Sequence, residues 1–401
     1  MRILAINQFY APDHAATSQL LTELCEDLSA GGDEVTVIAS RGNYLGGGRL
    51  PEEEVISGVR VLRPWATSLG KASVPRRLAD YLSFWATAVG RAAMVDRPDV
   101  MLVLTTPPMI ASGAVLVSAA RGVPLVTWVQ DVYPEVAVAF GVIPEGHPAA
   151  LGFSLLQRAT YRNARRVVAL SRGMGERLVA QGAPEDRLRV VPNWSDGGVI
   201  RPLAHEDNPF RREHGLEGRF VAMYSGNLGV GHDVATFIEA ARRLEAERPE
   251  VLFLFIGDGG RRAEAEGLAR GLGNVRFLPY QPYAALRQSL TAADVHLISL
   301  REGLEGLLVP SKLYGALASG RPVMYVGPKA CEVARVVREH DVGWEGRPGD
   351  AEGLARAIAL ASGSSGWRSE RGQRARHVFE EHFDRPRAVA RWRQVLEEAA
   401  I

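Results

Sequence analysis

A lysine and two glutamates lie close together in the stretch EGLEGLLVPSKLYGALASGRPV, residues 302–323. Pro310 suits the first turn of a helix, so a helix is predicted to begin there, with the amides of residues 311–313 unpaired. Amides at a helix start favour a phosphate, and Lys312 would add a full positive charge beside it. The stretch therefore predicts an anion site that includes Ser311, with a solvated surface lysine as the alternative.

Glu302 and Glu305 flank this predicted anion site. A carboxylate beside a diphosphate would be repelled, so the hydroxyls of a ribose or a hexose are more suitable partners. Gly306 and Leu307 lie in the same connecting segment and are predicted to line the same donor site. The alternative is a pair of surface glutamates in a loop.

Two glycine turns follow strand-like runs in the same half of the chain, YSGNLG at 224–229 and FIGDGG at 255–260. Gly226, Asn227 and Gly257 would let a phosphate approach the backbone closely, although a plain tight turn explains them equally well. Neither turn completes G-x-G-x-x-G, and no G-x-x-x-x-G-K-[ST] occurs. These spacings disfavour a nicotinamide dehydrogenase and a P-loop NTPase.

The stretch Leu278-Pro279-Tyr280 also follows a strand-like run. Its main chain could bond the edge of a pyrimidine base, and the alternative is an ordinary loop between a strand and a helix. In the N-terminal half, Asp131 comes directly after an apolar run, where a catalytic carboxylate or a turn-capping aspartate would stand.

Three further side chains are candidates for contact with an acceptor. Tyr133 and Glu135 follow Asp131 in the stretch QDVYPE, and His14 follows the first strand-like run. A lone loop histidine is more often polar surface than a ligand contact.

Short apolar runs alternate with helical patterns along the whole chain, which predicts parallel sheets covered by helices on both faces. The fold class is therefore α/β, with two tandem Rossmann-like domains at 1–195 and 196–382 and a closing helix at 383–401. A polar, irregular stretch at 192–215 is the expected linker. Ligands of such sheets bind outside the carboxyl ends of the strands, so the expected site is a cleft between the domains. Strands are predicted at 3–7, 35–39, 59–63, 100–104, 125–129, 167–170, 220–224, 251–256, 275–278, 295–299 and 323–326.

Composition excludes several classes of protein. The 401 residues carry a net charge of +1, so no strong field favours a nucleic-acid partner. Two cysteines offer no disulfide framework, and neither Asp-x-Asp nor H-x-x-x-H occurs, so neither a metal nor a cofactor is expected. We expect no secretory signal and no membrane span, hence a cytoplasmic protein. The arginines and aromatics of residues 74–95 suit either an anionic lipid surface or a half-buried helix.

Seven motifs, taken together and in this order, resemble those of the family-4 retaining glycosyltransferases, which have the two-domain GT-B fold. The resemblance is narrower to a bacterial surface-polysaccharide branch that includes N-acetyl-L-fucosamine transferases of O-antigen and colanic-acid clusters. The motifs are TTPP at 105–108, QDVYPE at 130–135, VPNWSD at 191–196, YSGNLG at 224–229, FIGDGG at 255–260, FLPY at 277–280 and EGLLVPSKLYGALASGRP at 305–322.

The resemblance implies a metal-independent transfer of a hexose or an N-acetylated deoxyhexosamine from a UDP-sugar, with retention of configuration. The acceptor would be a saccharide or a polyprenyl-linked sugar at the inner face of the cytoplasmic membrane, bound by the N-terminal domain. The donor would bind the C-terminal domain, and the final helix would cross back to the N-terminal one. Carried over by motif, Leu278 and Tyr280 would hold the base, Gly226, Asn227, Ser311 and Lys312 would face the diphosphate, Glu305 would face the sugar, and Asp131 would lie near the reacting carbon.

The chain departs from the family pattern at several positions. Gly315 stands where the family has a second glutamate, and Ala15-Ala16 replaces a glycine pair. Asn227 and His232 stand where many relatives have arginine and lysine, which moves the phosphate charge onto Lys312. Three rivals share these features: a nucleotide-sugar 2-epimerase of the same fold, an inactive scaffold, and a module that binds lipid surfaces through residues 74–95.

Overall fold

The computed structural model describes residues 1–13, 15–42, 49–70 and 74–401. The chain forms two compact units, the first from residues 1–192 and 388–401 and the second from residues 193–387. The corresponding borders predicted from the sequence are 195/196 and 382/383.

The first unit contains a sheet whose strands run in the order β3-β4-β2-β1-β5-β6-β7-β8. All neighbours are parallel except β3, which is antiparallel to β4. The strands are β1 (Arg2–Ile6), β2 (Glu34–Ile38), β3 (Glu53–Ile56), β4 (Val59–Leu62), β5 (Val100–Leu104), β6 (Leu125–Trp128), β7 (Arg166–Ala169) and β8 (Leu188–Val190). The helices are α1 (Ala16–Ala30), α2 (Val74–Met94), α3 (Ile110–Arg121), α4 (Glu135–Ala139), α5 (Pro148–Asn163) and α6 (Arg172–Ala180).

The second unit contains a fully parallel sheet in the order β11-β10-β9-β12-β13-β14. Its strands are β9 (Phe220–Ser225), β10 (Val251–Ile256), β11 (Val275–Leu278), β12 (Val295–Ser299), β13 (Val323–Val326) and β14 (Gly343–Gly346). Its helices are α7 (Pro209–Glu213), α8 (Ala235–Glu247), α9 (Arg262–Leu268), α10 (Leu286–Thr291), α11 (Lys312–Ala318), α12 (Glu332–His340), α13 (Ala351–Gly363) and α14 (Ser365–His382).

The central strands are buried over their whole length because helices cover both faces of each sheet. Every residue of β5, β6, β10 and β12 is buried, as expected for parallel strands that read as continuous apolar runs. All the strands that the sequence predicted are present, within one residue or so at each end. Three further strands, β3, β8 and β14, were not predicted, because they are short and lack a run of apolar residues.

The predicted linker at 192–215 is partly wrong, because its second half folds into the second unit. The side chain of Asn208 caps α7 by accepting from the amide of Phe210 at 3.0 Å. Arg211 is only 4% exposed and donates to the carbonyls of Ala292 and Leu216 at 2.6 and 2.7 Å. The polar composition of this stretch predicted a linker, but the side chains of Asn208 and Arg211 form hydrogen bonds with main-chain groups inside the second unit.

The last helix, α15 (Arg385–Ala400), returns the chain to the first unit, as predicted. Trp392 is fully buried, and its ring lies 4.5 Å from that of Trp128, the last residue of β6. Near its end, Glu398 forms ion pairs with Arg166 at 3.3 Å and Arg189 at 2.8 Å. The final helix is therefore an integral part of the first unit.

The helices α2 and α5 carry exposed leucines on the outside of the first unit. Leu78 and Leu82 of α2 are each 51% exposed, and Leu151 and Leu155 of α5 are 65% and 58% exposed. Among the helices of the described residues, none combines the length and the apolar character that a membrane span requires.

Candidate active site

The carboxyl ends of β9, β10 and β12 bring three turns of the second unit together. The amide of Leu228, after β9, donates to the carbonyl of Asp258, after β10, at 2.8 Å. The amide of Arg301, after β12, donates to the carbonyl of Gly231 at 2.9 Å. Parallel strands end at the same edge of a sheet, so the glycine turns and the stretch at 302–323 meet there.

Two glycines in these turns leave no space for a side chain. A Cβ at Gly257 would lie 2.2 Å from the carbonyl oxygen of Gly226, and one at Gly259 would lie 2.4 Å from Asn227 Oδ1. Their φ angles of +134° and +150° are also unfavourable for other residues. Glycine is therefore required at residues 257 and 259 because the turns after β9 and β10 pack closely against each other.

Lys312 lies over the turn that follows β9. Its Nζ is 3.2 Å from the carbonyl oxygen of Asn227, 3.0 Å from Nε2 of His232 and 4.8 Å from the centre of the Tyr224 ring. A Cβ at Gly226 would be only 3.0 Å from Lys312 Cε, so the absence of a side chain at this position leaves room for the lysine side chain. Burial lowers the pKa of Lys312 to about 7. Among the described residues, no carboxylate forms an ion pair with this ammonium group, so it can bind an anionic ligand.

His232 is held as a neutral base beside this lysine. Its Nδ1 donates to the carbonyl of Ser299 at 2.7 Å, which leaves the lone pair of Nε2 for Lys312. Burial, and then the charge of Lys312, lower the pKa of His232 to about 3. From the sequence, His232 is named only for its family position. Its contact with Lys312 depends on the pairing of β12 with β9, which no local sequence signal shows.

The expected helix begins at Lys312 and ends at Ala318. The prediction of unpaired amides at 311–313 is wrong for Leu313, whose amide donates to the carbonyl of Pro310 at 3.3 Å. The amide of Tyr314 likewise donates to Ser311 at 3.3 Å. Because the chain closes into a tight turn here, the anion-attracting charge of the site comes mainly from Lys312.

The two candidate glutamates have different surroundings. Glu302 is exposed, whereas Glu305 is partly buried and its charge helps to raise the pKa of Tyr325, after burial and Cys331. Leu307 is buried, and its amide donates to the carbonyl of Leu304 at 3.0 Å. The 302–307 loop thus has a fixed inner half, which contains Glu305, and an outer half, which contains Glu302.

The stretch at 278–280 is less open than predicted. The carbonyl of Leu278 accepts from the amide of Gly257 at 3.0 Å and from Arg262 Nη1 at 3.4 Å, which occupies both lone pairs. The carbonyl of Pro279 accepts from Gln281 Nε2 at 3.0 Å. Tyr280 is 47% exposed, so of the three residues it is the one best placed to meet a planar base.

In the first unit, Asp131 follows β6 as predicted. The amide of Gln130 donates to Thr105 Oγ1 at 3.2 Å, and the amide of Asp131 reaches the same oxygen at 3.4 Å. These hydrogen bonds connect the turn that contains Thr105 to the turn that contains Asp131. Burial raises the pKa of Asp131 to about 6, which is a suitable range for proton transfer near neutral pH.

Tyr133 lies between Asp131 and the start of α2. Burial raises its pKa, the charge of Asp131 and the Tyr81 hydroxyl raise it further, and Arg77 lowers it. Its ring stacks on Phe153 of α5 at 5.9 Å. The sequence predicted residues 74–95 only as a lipid-facing or half-buried helix, whereas in the structure Arg77 and Tyr81 of this helix also lie near Tyr133.

Glu135 and His14 complete the predicted set. The carboxylate of Glu135 accepts a hydrogen bond from Gln181, which also donates to the carbonyl of Tyr133 at 3.3 Å. Glu135 thus connects the loop to the end of α6. His14 lies outside the described residues. Within the described ranges, no group of three or more His, Cys, Asp or Glu side chains is arranged to hold a metal ion.

Both halves of the chain match known domain families. Residues 17–194 match the family described as "Glycosyl transferase 4-like domain". Residues 206–378 match "Glycosyl transferases group 1".

Two curated relatives cover most of the chain. WbjE of Pseudomonas aeruginosa, named as a glycosyltransferase, is 31% identical over 289 residues, which is 71% of this chain and 71% of WbjE. WcaI of Escherichia coli (strain K12), named for colanic acid biosynthesis, is 28% identical over 339 residues, 80% of this chain and 82% of WcaI.

Solved structures share the fold at low identity. Sucrose-phosphate synthase of Thermosynechococcus elongatus has a TM-score of 0.77 at 16% identity and matches 99% of this chain and 98% of its own. HepE of Anabaena, crystallised with UDP-glucose, has a TM-score of 0.74 at 16% identity and matches 99% of each chain. At such identities the likeness concerns the fold alone.

Proposed function

Because this chain belongs to the family-4 glycosyltransferases of bacterial surface-polysaccharide biosynthesis, we propose that it transfers a sugar from a UDP-sugar to an acceptor hydroxyl with retention of configuration. The sugar is a hexose or an N-acetylated deoxyhexosamine, and the acceptor is a saccharide or a lipid-linked sugar. The observation that carries the proposal is the placement of Lys312 among Tyr224, Asn227 and His232 at the strand ends. UDP as the carrier is supported by HepE, which was crystallised with UDP-glucose.

Lys312 stabilises the leaving diphosphate. When the bond between the sugar and the diphosphate breaks, negative charge grows on the phosphate oxygen that leaves. The ammonium group, already held over the turn after β9, receives that charge without reorganising. His232, neutral and fixed by Ser299, positions the ammonium and does not add charge. In this proposal the transfer needs no metal, because the lysine supplies the positive charge.

Lys312→Ala tests this role. The variant is expected to lose roughly 10²–10³ in kcat, as for removal of one preorganised electrostatic contact. Release of UDP from a panel of UDP-sugars, with and without saccharide and lipid-linked acceptors, is the measurement. Arg356→Ala, which removes an exposed charge on α13, is the matched control and should leave the rate unchanged. Turnover that survives in Lys312→Ala would refute the assignment, and a changed sugar formed without acceptor would identify an epimerase instead.

Asp131, Tyr133 and Arg77 form the acceptor side of the proposal. The raised pKa of Asp131 keeps a carboxylate that can exchange a proton near neutral pH. The neighbouring phenol and guanidinium suit the hydroxyls and the phosphate of a lipid-linked sugar.

Peripheral attachment to a lipid surface fits the same unit. Leu78 and Leu82 of α2 lie near Arg77, on the helix that contacts Tyr133, and Leu151 and Leu155 extend the exposed apolar surface on α5. Exposed leucines beside arginines are typical of helices that lie at an anionic membrane surface.

Co-sedimentation with vesicles tests this attachment. The wild type is expected to bind vesicles that contain anionic lipid more strongly than neutral ones. The double variant Leu78→Asp, Leu82→Asp should lose most of the binding, whereas Leu360→Asp, an equally exposed leucine on α13, should not. Equal binding by both variants would exclude α2 as the attachment surface.

A further inference from the structure

A cavity lies in the second unit, at the opposite ends of its strands from Lys312. Its volume is about 510 Å³. Asp294 and Pro322, which line it, come directly before β12 and β13, so the cavity lies at the amino ends of these strands. The helix α14 forms the other wall with Arg368 and Gln373. Nothing in the proposed transfer reaction uses these residues.

One buried carboxylate in the cavity is shared among several cationic groups. Asp294 is 7% exposed and accepts from the amide of Val221 at 2.9 Å. Arg211 Nη1 lies 3.4 Å from its Oδ2, and Arg368 Nε and His205 Nδ1 lie 3.6 and 3.9 Å from its Oδ1. A single negative charge therefore serves two guanidinium groups and one imidazole.

Arg321 adds a third guanidinium that has no carboxylate within ion-pair distance among the described residues. Its Nη2 donates to the carbonyls of Leu203 at 2.8 Å and Thr291 at 2.9 Å. Its Nε is buried and has no hydrogen-bond partner within the described part of the chain. Burial, and to a smaller extent the charges of Arg211 and Arg368, lower the pKa of Arg321. The charges of Asp294 and Glu206 raise the same pKa, so three arginines face two carboxylates and the excess charge is positive.

The remaining lining groups also suit an anion. Arg376, on the same wall, is balanced by Glu380 at 2.7 Å and does not change the excess. The first residue of α14, Ser365, lines the cavity, and Ser369 adds a hydroxyl on the next turn. The amides of Trp367 and Arg368 already donate to Ser364, so the side chains and not the helix start would hold the anion. Guanidinium and hydroxyl groups are among those that recognise a phosphate in proteins.

We propose that this cavity binds a phosphate group, free or carried by a small phosphomonoester, between Arg321 and Arg368. The volume is in the range of small-ligand sites. Because the cavity and Lys312 lie at opposite ends of the strands, the ligand is distinct from the sugar donor. Neither the glycine turns of the second unit nor Lys312 is within this site.

Calorimetric titration tests the proposal. Inorganic phosphate and a hexose 1-phosphate are titrated separately into the full chain, in the Lys312→Ala background to remove the other anion site, with chloride at matched ionic strength as the blank. We expect one saturable site for at least one of the two ligands, and the tighter ligand shows whether the free ion or the ester is the natural source. Arg321→Met should weaken binding roughly ten- to a hundredfold, as for loss of a charged hydrogen-bond donor.

Two surface variants separate binding from folding. Gln373→Glu places a negative charge in the exposed wall of the cavity and should weaken phosphate binding to a similar degree. Arg374→Met, on the same helix but paired with Asp341 outside the cavity, should leave it unchanged. Circular dichroism confirms that each variant is folded, so Gln373→Glu decides if Arg321→Met does not fold. No saturable binding of either ligand, or binding that neither cavity variant weakens, would overturn the proposal.

Discussion

The affinity of the protein for UDP should fall steeply as pH rises above 7. Burial lowers the pKa of Lys312 from its ordinary value of 10.5 to about 7 in the ligand-free protein. A bound diphosphate favours the ammonium form and raises this pKa again. Above pH 7, Lys312 of the free protein is mostly neutral and must gain a proton when UDP binds. The free energy needed for this protonation grows with pH, so the affinity for UDP decreases.

The size of the effect follows from the protonated fraction of Lys312. With a pKa of about 7, half of the free protein carries the ammonium at pH 7 and about 1% carries it at pH 9. If the diphosphate restores the ordinary pKa, UDP binds about fiftyfold more weakly at pH 9 than at pH 7. The terminal phosphate of UDP ionises near pH 6, so it is already charged throughout this range.

Calorimetry of UDP binding at several pH values between 7 and 9, in buffers of different ionisation enthalpy, measures both the affinity and the proton uptake. Lys312→Arg is the control, because a guanidinium stays charged and its affinity should be nearly constant over the same range. A flat profile for the wild type, or an equally steep one for Lys312→Arg, would show that this lysine does not receive the diphosphate.

Three further outcomes are expected. The kcat/KM of the wild type should decrease below pH 6, where the carboxylate of Asp131 gains a proton, and a pH–rate profile of Asp131→Asn should lack this limb; a limb that persists belongs to another group. Gly257→Ala forces a Cβ to within 2.2 Å of a carbonyl oxygen and should destabilise the protein by about 1–3 kcal/mol in urea, whereas Gly260→Ala, with nothing within 4 Å, should not; similar values for the two would contradict the packing argument. Trp392→Ala should cost about 3–5 kcal/mol in the same assay, against about 0.5 kcal/mol or less for the exposed Trp65→Ala, and a small loss at Trp392 would mean that α15 is not part of the core.

Sequence alone determined most of the secondary structure and the parallel character of the two sheets. Runs such as β5 and β10 are apolar at every position, and they alternate with helical periodicity, so their type and parallel arrangement follow from local patterns. It also predicted candidate site residues in the turns, because residues directly after parallel strands lie at the same end of a sheet. Asp131 was predicted in this way, and Lys312 was predicted from the helix start at Pro310.

Only the tertiary structure decided which of those groups touch. His232 and Lys312 are 80 residues apart along the chain, and their 3.0 Å contact depends on the pairing of β9 with β12. The same holds for Arg321 in the cavity beside α14, and for the carbonyl of Leu278, which already accepts from an arginine and a glycine amide. Periodicity records which face of an element is buried, whereas hydrogen bonds and pKa shifts depend on distances of a few ångströms between distant segments. Those distances are set only when the whole chain has folded.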